Sequence, residues 1–148
     1  GNTDSERIFC WMLQSLQSRF GDAPPSQDEL FTALHELIYP LSGTGIFNFL
    51  LSNGHCMFAH CSTELSYIVR RAPFNKAHLK DEDVMVDFSD VTTPNDRVAV
   101  IATLPLTDNE PWITMPPGSL WMFHDGEAVS HLVTQPSPIK SLGGNASD

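Results

Sequence analysis

The sequence predicts an α+β protein with antiparallel sheets. Two observations support this fold class. Apolar residues recur every three to four positions up to Leu41, which is typical of amphipathic helices, and after Gly45 they fall instead into short extended runs separated by tight turns. Helices followed by consecutive strands favour an antiparallel sheet with the helices gathered on one face. A chain of 148 residues is long enough for one domain with a substantial core.

The first helix is predicted from a start signal and an apolar stripe. Thr3-x-x-Glu6 is a capping-box pattern, and Asp4 falls in the first turn, where the helix dipole favours an ionised carboxylate. The stripe is expected to face a core and consists of Ile8, Phe9, Met12, Leu13, Leu16 and Phe20. Asp4 is either helix-start chemistry alone or an anionic anchor for a cation such as a substrate's α-ammonium group. The pattern leaves both interpretations open.

A second helix is predicted after the break at Gly21–Pro25. Ser26-x-x-Glu29 is another capping box, and Pro40 with the glycines that follow it should end the helix. Its apolar stripe consists of Leu30, Phe31, Leu34, Leu37, Ile38 and Leu41. Two such helices joined by a short loop should lie antiparallel in one layer.

The remaining chain is predicted to form strands. Asn53-Gly54 between two extended runs is a strong hairpin signal, and Val98–Leu104 is apolar on both sides, as expected for a strand covered on both faces. The predicted strands are Ile46–Ser52, His55–Cys61, Leu65–Arg71, Val84–Ser89, Val98–Leu104, Trp112–Met115, Leu120–Phe123 and Ala128–Val133. Lys76–Asp83 is expected to be a surface excursion. Thr134–Asp148 is rich in Pro, Ser and Gly and is expected to be a mobile tail.

Charge and composition narrow the range of partners. The formal net charge of −10 disfavours nucleic acid and anionic membranes as partners, because both would be repelled. No apolar run approaches the roughly 18 residues that a membrane-spanning helix needs. Three sparse cysteines suggest reduced thiols, so we expect a cytoplasmic protein.

The histidine and cysteine residues favour neither a metal site nor a catalytic thiol. His55, Cys56, His60 and Cys61 are close in sequence, but ligands on opposite faces of a strand cannot converge on one zinc ion. Cys10 lies within a helix without a neighbouring histidine, and a cysteine in a strand is usually a small apolar side chain. We therefore expect no metal, no cofactor and no catalytic thiol within this sequence.

Two pairs of adjacent residues could bind an anion, but their sequence context favours a structural role. Arg70 and Arg71 are adjacent on a strand, so at most one faces any given anion, and solvent contact or local pairing is the favoured interpretation. Asn53-Gly54 has the composition of an oxyanion-binding pair. Its place between two extended runs favours a turn instead.

Several longer strings carry a resemblance to a known family. TDSE opening the first helix is followed by FNFLLSNG, HCMFAHCSTELSYIVRRAPF, TTPNDRVAVIATLPLT and MPPGSLWMF. Together these strings resemble class II glutamine amidotransferases, in particular the small stand-alone bacterial branch. The resemblance covers about Gly1–Gly126, and the long strings are much more specific than TDSE alone.

The resemblance implies a fold, a reaction and a ligand. The fold would be part of the αββα sandwich of N-terminal-nucleophile hydrolases, with two helices on an outer layer. The reaction would hydrolyse the side-chain amide of glutamine or a γ-glutamyl compound, with an N-terminal cysteine as nucleophile and its own α-amino group as base. Asp4 matches the family's aspartate that binds the substrate's α-ammonium group, and no cofactor is implied.

The sequence departs from the family pattern at its beginning. Gly1 stands where the nucleophile would be, and the resemblance places the carboxylate-binding arginine and the oxyanion-binding Asn-Gly before this sequence. We therefore expect residues 1–133 to be the C-terminal portion of such an enzyme, inactive alone and paired with a missing N-terminal segment, with a homodimer also possible. The alternative is a non-catalytic interaction domain on the same scaffold.

Overall fold

The computed structural model describes residues 3–42, 45–74, 77–80, 85–86 and 93–133. The described residues fall into two compact units, a helical unit within residues 3–45 and a strand unit within Ile46–Val133. The predicted tail Thr134–Asp148 lies outside the described residues. Helices followed by antiparallel strands confirm the predicted α+β class.

The helical unit contains two helices that contact each other, α1 (Asp4–Phe20) and α2 (Gln27–Leu41). The Ser26 capping box is reciprocal, because the Glu29 amide donates to Ser26 Oγ at 3.2 Å and the Ser26 amide donates to Glu29 Oε2 at 2.9 Å. Pro40 does not stop α2 at once. It lies within the last turn, and the helix continues to Leu41.

The two predicted apolar stripes differ in burial. Four residues of α2 are buried: Phe31, Ala33, Leu34 and Ile38. In α1 only Met12 is buried, while Phe9 remains 47% exposed and Leu13 46% exposed. The expectation that the α1 stripe faces a core is therefore wrong for Phe9 and Leu13. Periodicity identifies an apolar face, but the neighbouring elements decide whether that face is covered.

The strand unit is built from antiparallel pairs. Its strands are β1 (Phe49–Ser52), β2 (Met57–Cys61), β3 (Ser66–Arg71), β4 (Ala77–His78), β5 (Met85–Val86), β6 (Arg97–Ala102), β7 (Ile113–Thr114), β8 (Ser119–His124) and β9 (Glu127–Val133). One sheet has the order β1-β2-β8-β9, a second has the order β6-β3-β7, and β4 pairs with β5. Of the predicted surface excursion Lys76–Asp83 the structure describes residues 77–80, which include β4. Most of Val84–Ser89 lies outside the described residues.

Between the two larger sheets lies an apolar core. Its buried members are Ala59, Cys61, Leu65, Tyr67, Met115, Trp121 and Phe123. The Tyr67 ring is 5.1 Å from that of Trp121 and 5.2 Å from that of Phe123 between centroids. Consecutive residues of β2 and β8 are buried, so these central strands are covered on both faces.

The strand predicted to be covered on both faces is a different one. The prediction for Val98–Leu104 is wrong, because no residue of β6 is buried, and Val98 is 42% and Leu104 58% exposed. Among the described strands, β6 pairs only with β3. An uninterrupted apolar run fits a central strand and also fits an edge strand that presents valines to solvent. The sequence pattern does not distinguish the two.

One corner of the strand unit has a close approach between backbones. Asp125 and Gly126 both have positive φ, 50° and 74°, as a two-residue hairpin turn between β8 and β9 requires. A Cβ atom on Gly126 would lie 2.7 Å from the carbonyl carbon and oxygen of Arg97. The turn therefore packs directly on the first residue of β6. Nearby, Glu127 forms ion pairs with Arg71 and Arg97 and so links the two sheets.

Over the described parts of the chain, the model contains no helix long and apolar enough to cross a membrane.

Candidate functional site

Asp4 is the first residue of α1 and is exposed to solvent. Thr3 precedes it with extended backbone angles, and its Oγ1 accepts a hydrogen bond from the Glu6 amide at 3.3 Å. The Thr3 carbonyl also accepts from the Arg7 amide at 3.1 Å, which fixes the first turn. Thr3 rather than Asp4 thus caps the helix. The Asp4 carboxylate lies beside the positive end of the helix dipole, where it can receive a cation from solvent.

Asn53-Gly54 forms the turn between β1 and β2, as predicted. The Asn53 side-chain oxygen accepts from the amides of His55 and Cys56, both at 2.9 Å, and Gly54 has a φ of 88°. This side-chain oxygen organises the loop from within, as is typical of an Asx turn. These contacts support the structural interpretation of the pair over an oxyanion-binding one.

Arg70 and Arg71 point to different partners, as the strand alternation predicts. Arg70 is largely buried and forms two hydrogen bonds with Glu110, of 2.8 and 2.6 Å. Arg71, which is exposed, pairs with Glu127. Both guanidinium groups therefore have carboxylate partners within the strand unit, which supports local pairing rather than anion binding.

The Arg70 pair belongs to a polar network that the sequence analysis did not identify. Thr107 Oγ1 donates to Glu110 Oε1 at 2.7 Å and accepts from Trp112 Nε1 at 2.8 Å. The hydrogen bond from Arg70 lowers the pKa of the Glu110 carboxyl below its usual value. This network holds the loop before β7 against β3. The spacing Thr107-x-x-Glu110 was a local signal for it, but Arg70 is forty positions away in sequence.

The two buried cysteines do not have the surroundings of nucleophiles. Burial raises the pKa of the Cys56 thiol and of the Cys61 thiol, so both favour the protonated form. Cys61 donates to the Met115 carbonyl at 3.5 Å. Cys10 is exposed on α1.

The histidine and cysteine cluster is spread over different surroundings. His60 stacks on Phe47 and Phe49, with centroid distances of 5.0 and 5.4 Å, while Cys61 lies in the core between the sheets. His55 and Cys56 lie in the turn before β2, so their predicted position in an extended run is wrong. No group of three or more His, Cys, Asp or Glu side chains is placed to hold a metal ion in the part of the chain that the structure describes.

A cavity of about 350 Å³ lies in the strand unit. Its lining combines apolar residues such as Ala99 and Phe123 with His55, Arg97 and His124. These residues come from two turns and the start of β6, which are distant in sequence, so no local pattern could have grouped them. The cavity has no carboxylate pair or activated nucleophile among its lining residues, and we assign no chemistry to it.

Comparisons with known proteins agree with the resemblance. The family model of class-II glutamine amidotransferases matches residues 1–144, which include Asp4. A Haemophilus influenzae protein provisionally named a glutamine amidotransferase is 44% identical over 136 residues, which are 92% of this chain and 46% of that protein. Escherichia coli YafJ, named in the same way, is 49% identical over 129 residues, which are 87% of this chain and 51% of YafJ.

A solved structure is similar as well. The 2.0 Å crystal structure of a predicted glutamine amidotransferase from Pseudomonas aeruginosa has 43% sequence identity and a TM-score of 0.77, covering 88% of this chain and 51% of that one. The chain spans about half the length of the curated relatives it matches. Since the family model matches nearly the whole sequence, the chain belongs to the class II glutamine amidotransferases.

Proposed function

We propose that the protein containing these residues hydrolyses the side-chain amide of glutamine or of a γ-glutamyl compound. In this reaction the bond between the carbonyl carbon and the nitrogen breaks, the carbon gains a hydroxyl from water, and the nitrogen leaves as ammonia or an amine. The observation that carries the proposal is the position of Asp4, a solvent-exposed carboxylate on the first residue of α1 within the span matched by the family model.

The proposed role of Asp4 is to bind the α-ammonium group of the substrate. A charge-assisted hydrogen bond between an ammonium and a carboxylate is among the stronger polar contacts available to a protein. Position supports this role, because the Thr3 side chain already satisfies the Glu6 amide and so leaves the Asp4 carboxylate free of the capping role. Glutamine, a γ-glutamyl peptide and a γ-glutamyl thiol compound share this ammonium group, so Asp4 would bind any of them.

The remaining catalytic groups are proposed to lie outside these 148 residues. The buried Cys56 and Cys61 thiols have raised pKa values, and Asn53 uses its side-chain oxygen within a turn. We therefore expect the 148-residue chain by itself to release no ammonia from glutamine. An enzyme-coupled ammonia assay on the purified chain tests this, and glutaminase activity above a heat-treated control would contradict it.

The role of Asp4 is tested in the full-length protein with the variant Asp4→Asn. Losing a charged hydrogen bond costs about 1.5–3 kcal/mol, which predicts a decrease in kcat/KM of roughly 10- to 150-fold, carried mainly by KM. Asp28→Asn is the matched control, since Asp28 is likewise an exposed acid in the first turn of a helix. Equal kinetics for the two variants would remove Asp4 from the binding site.

A further inference from the structure

The turn between β1 and β2 contains an asparagine that is followed by a glycine. Of the seven asparagines in the sequence only Asn53 has this neighbour, and both Asn53 and Gly54 are exposed to solvent. In this order the main-chain nitrogen of the glycine can attack the side-chain carbonyl carbon of the asparagine. Gly54 has no side chain to hinder the attack, and beyond its chain neighbours no atom lies within 4 Å of the place of a Cβ. The pair therefore has the composition and the exposure that deamidation requires.

Deamidation of this pair needs no reagent other than water. A bond forms between Gly54 N and Asn53 Cγ, the bond between Cγ and Nδ2 breaks, and Nδ2 leaves as ammonia with the proton of the Gly54 amide. Water then opens the cyclic imide that results. Opening at Cγ gives an aspartate, and opening at the main-chain carbonyl carbon gives an isoaspartate, in which the main chain runs through Cγ.

The folded turn restrains both reacting groups. The Gly54 amide donates to Ser52 Oγ at 3.1 Å, so its proton is engaged. Asn53 Oδ1 accepts from the amides of His55 and Cys56, both at 2.9 Å, which fixes the orientation of the carboxamide. Ser52 Oγ in turn donates to the Cys56 carbonyl at 3.1 Å. Attack requires the Gly54 nitrogen to lose its proton and the carboxamide to move onto it, so these hydrogen bonds must break first.

We infer that Asn53 is a deamidation site that the β1–β2 turn keeps closed, with Ser52 restraining the attacking nitrogen. Conversion then proceeds only in molecules whose turn has opened locally. An aspartate at this position can accept the same two amide hydrogen bonds, so that product leaves the turn intact. An isoaspartate lengthens the main chain by one carbon and disturbs the pairing of Ser52 with Met57. This inference does not depend on the role proposed for Asp4 and can fail separately from it.

The protection is measured by comparing deamidation rates in the folded and the unfolded protein. The full-length protein is incubated in mildly alkaline buffer with and without guanidinium chloride, and peptide mapping by mass spectrometry follows the aspartate and isoaspartate products at position 53. We expect the folded protein to react at least roughly 10-fold more slowly, because only the locally opened turn can react. Equal rates in the two conditions overturn the inference, since the turn would then give no protection.

Three variants test the part assigned to Ser52. Ser52→Ala should raise the rate in the folded protein by roughly 3- to 10-fold, because losing a hydrogen bond makes local opening more frequent. Ser52→Thr keeps the hydroxyl and should keep the wild-type rate. Ser62→Ala is the matched control, since it removes a hydroxyl just after the other end of β2, and it should also keep that rate. Equal rates for Ser52→Ala and Ser52→Thr, or for Ser52→Ala and Ser62→Ala, would overturn the assignment of Ser52.

Discussion

The helices α1 and α2 begin with the same sequence pattern but differ in what they bury. Each has a hydroxyl residue as N-cap and acids in its first turn. α2 buries four side chains, and α1 buries Met12 alone while Phe9 and Leu13 stay almost half exposed. The acid proposed to bind substrate is on α1. The helix that contributes less to the core is therefore the one that presents a candidate binding group.

This difference shows that an amphipathic pattern predicts which side of a helix is apolar more reliably than it predicts whether that side is buried. The spacing of apolar residues determines which side of a helix is apolar, and this held for both helices. Whether that side is covered depends on other parts of the protein, and here it is covered on α2 and partly open on α1. The stability of the helical unit should therefore depend much more on α2 than on α1.

The largest expected difference comes from truncating one leucine in each helix. Leu34 of α2 is fully buried, so Leu34→Ala should lower the free energy of unfolding by about 2–5 kcal/mol. Leu13 of α1 is 46% exposed, so Leu13→Ala should cost less than about 1 kcal/mol. Urea unfolding of both variants measures the difference. Equal losses would show that α1 is as fully packed in solution as α2.

A smaller difference is expected at the caps. The reciprocal Ser26–Glu29 box predicts a loss of roughly 1 kcal/mol for Ser26→Ala. Thr3→Ala removes one hydrogen bond of 3.3 Å and should cost roughly 0.5 kcal/mol. The same urea experiment gives both values, with Ser18→Ala on the exposed side of α1 as a control. A larger loss at Thr3 than at Ser26 would reverse the ranking of the two helices.

The smallest effect concerns the ion pair between the helices. Arg19 of α1 bonds to Glu36 of α2, and this hydrogen bond lowers the pKa of the Glu36 carboxyl. A carboxyl with a lowered pKa in the folded state adds stability above its ordinary pKa, and that contribution is lost as the pH falls through the folded-state value. Because both side chains are exposed, the effect on stability should be marginal.

The variant Arg19→Gln should move the pKa of Glu36 back towards its ordinary value. Carboxyl chemical shifts followed by NMR during an acid titration measure this directly. A pKa of Glu36 that does not change in the variant would show that the pair does not form in solution.

Much of the fold was accessible from local sequence signals. Both helices and the Asn53-Gly54 turn follow from residue types at fixed spacing, and all three are present. Strand order was not accessible, because the paired residues of β2 and β8 are 58 to 66 positions apart in sequence. For the same reason the pattern at Val98–Leu104 led to the wrong strand being assigned to the interior.

Less of the candidate site than of the fold could be predicted from the sequence. The start of α1 and the place of Asp4 within it followed from the capping pattern, and the resemblance suggested its ligand. The Arg70–Glu110 network and the cavity were not predicted, because their members come from segments that only the folded chain brings together. The role of Asp4 itself remains a prediction until its variant is measured.

The close approach at Gly126 has a consequence for redesign of the interior. Most sheet packings adjust their separation to the size of the side chains between them, but at this corner main-chain atoms already touch. Smaller residues introduced near Phe123 could not be compensated by moving the two sheets closer together there, because Gly126 already lies against the Arg97 main chain. Saturation mutagenesis should therefore recover only glycine at position 126 and a narrow range of volumes around it.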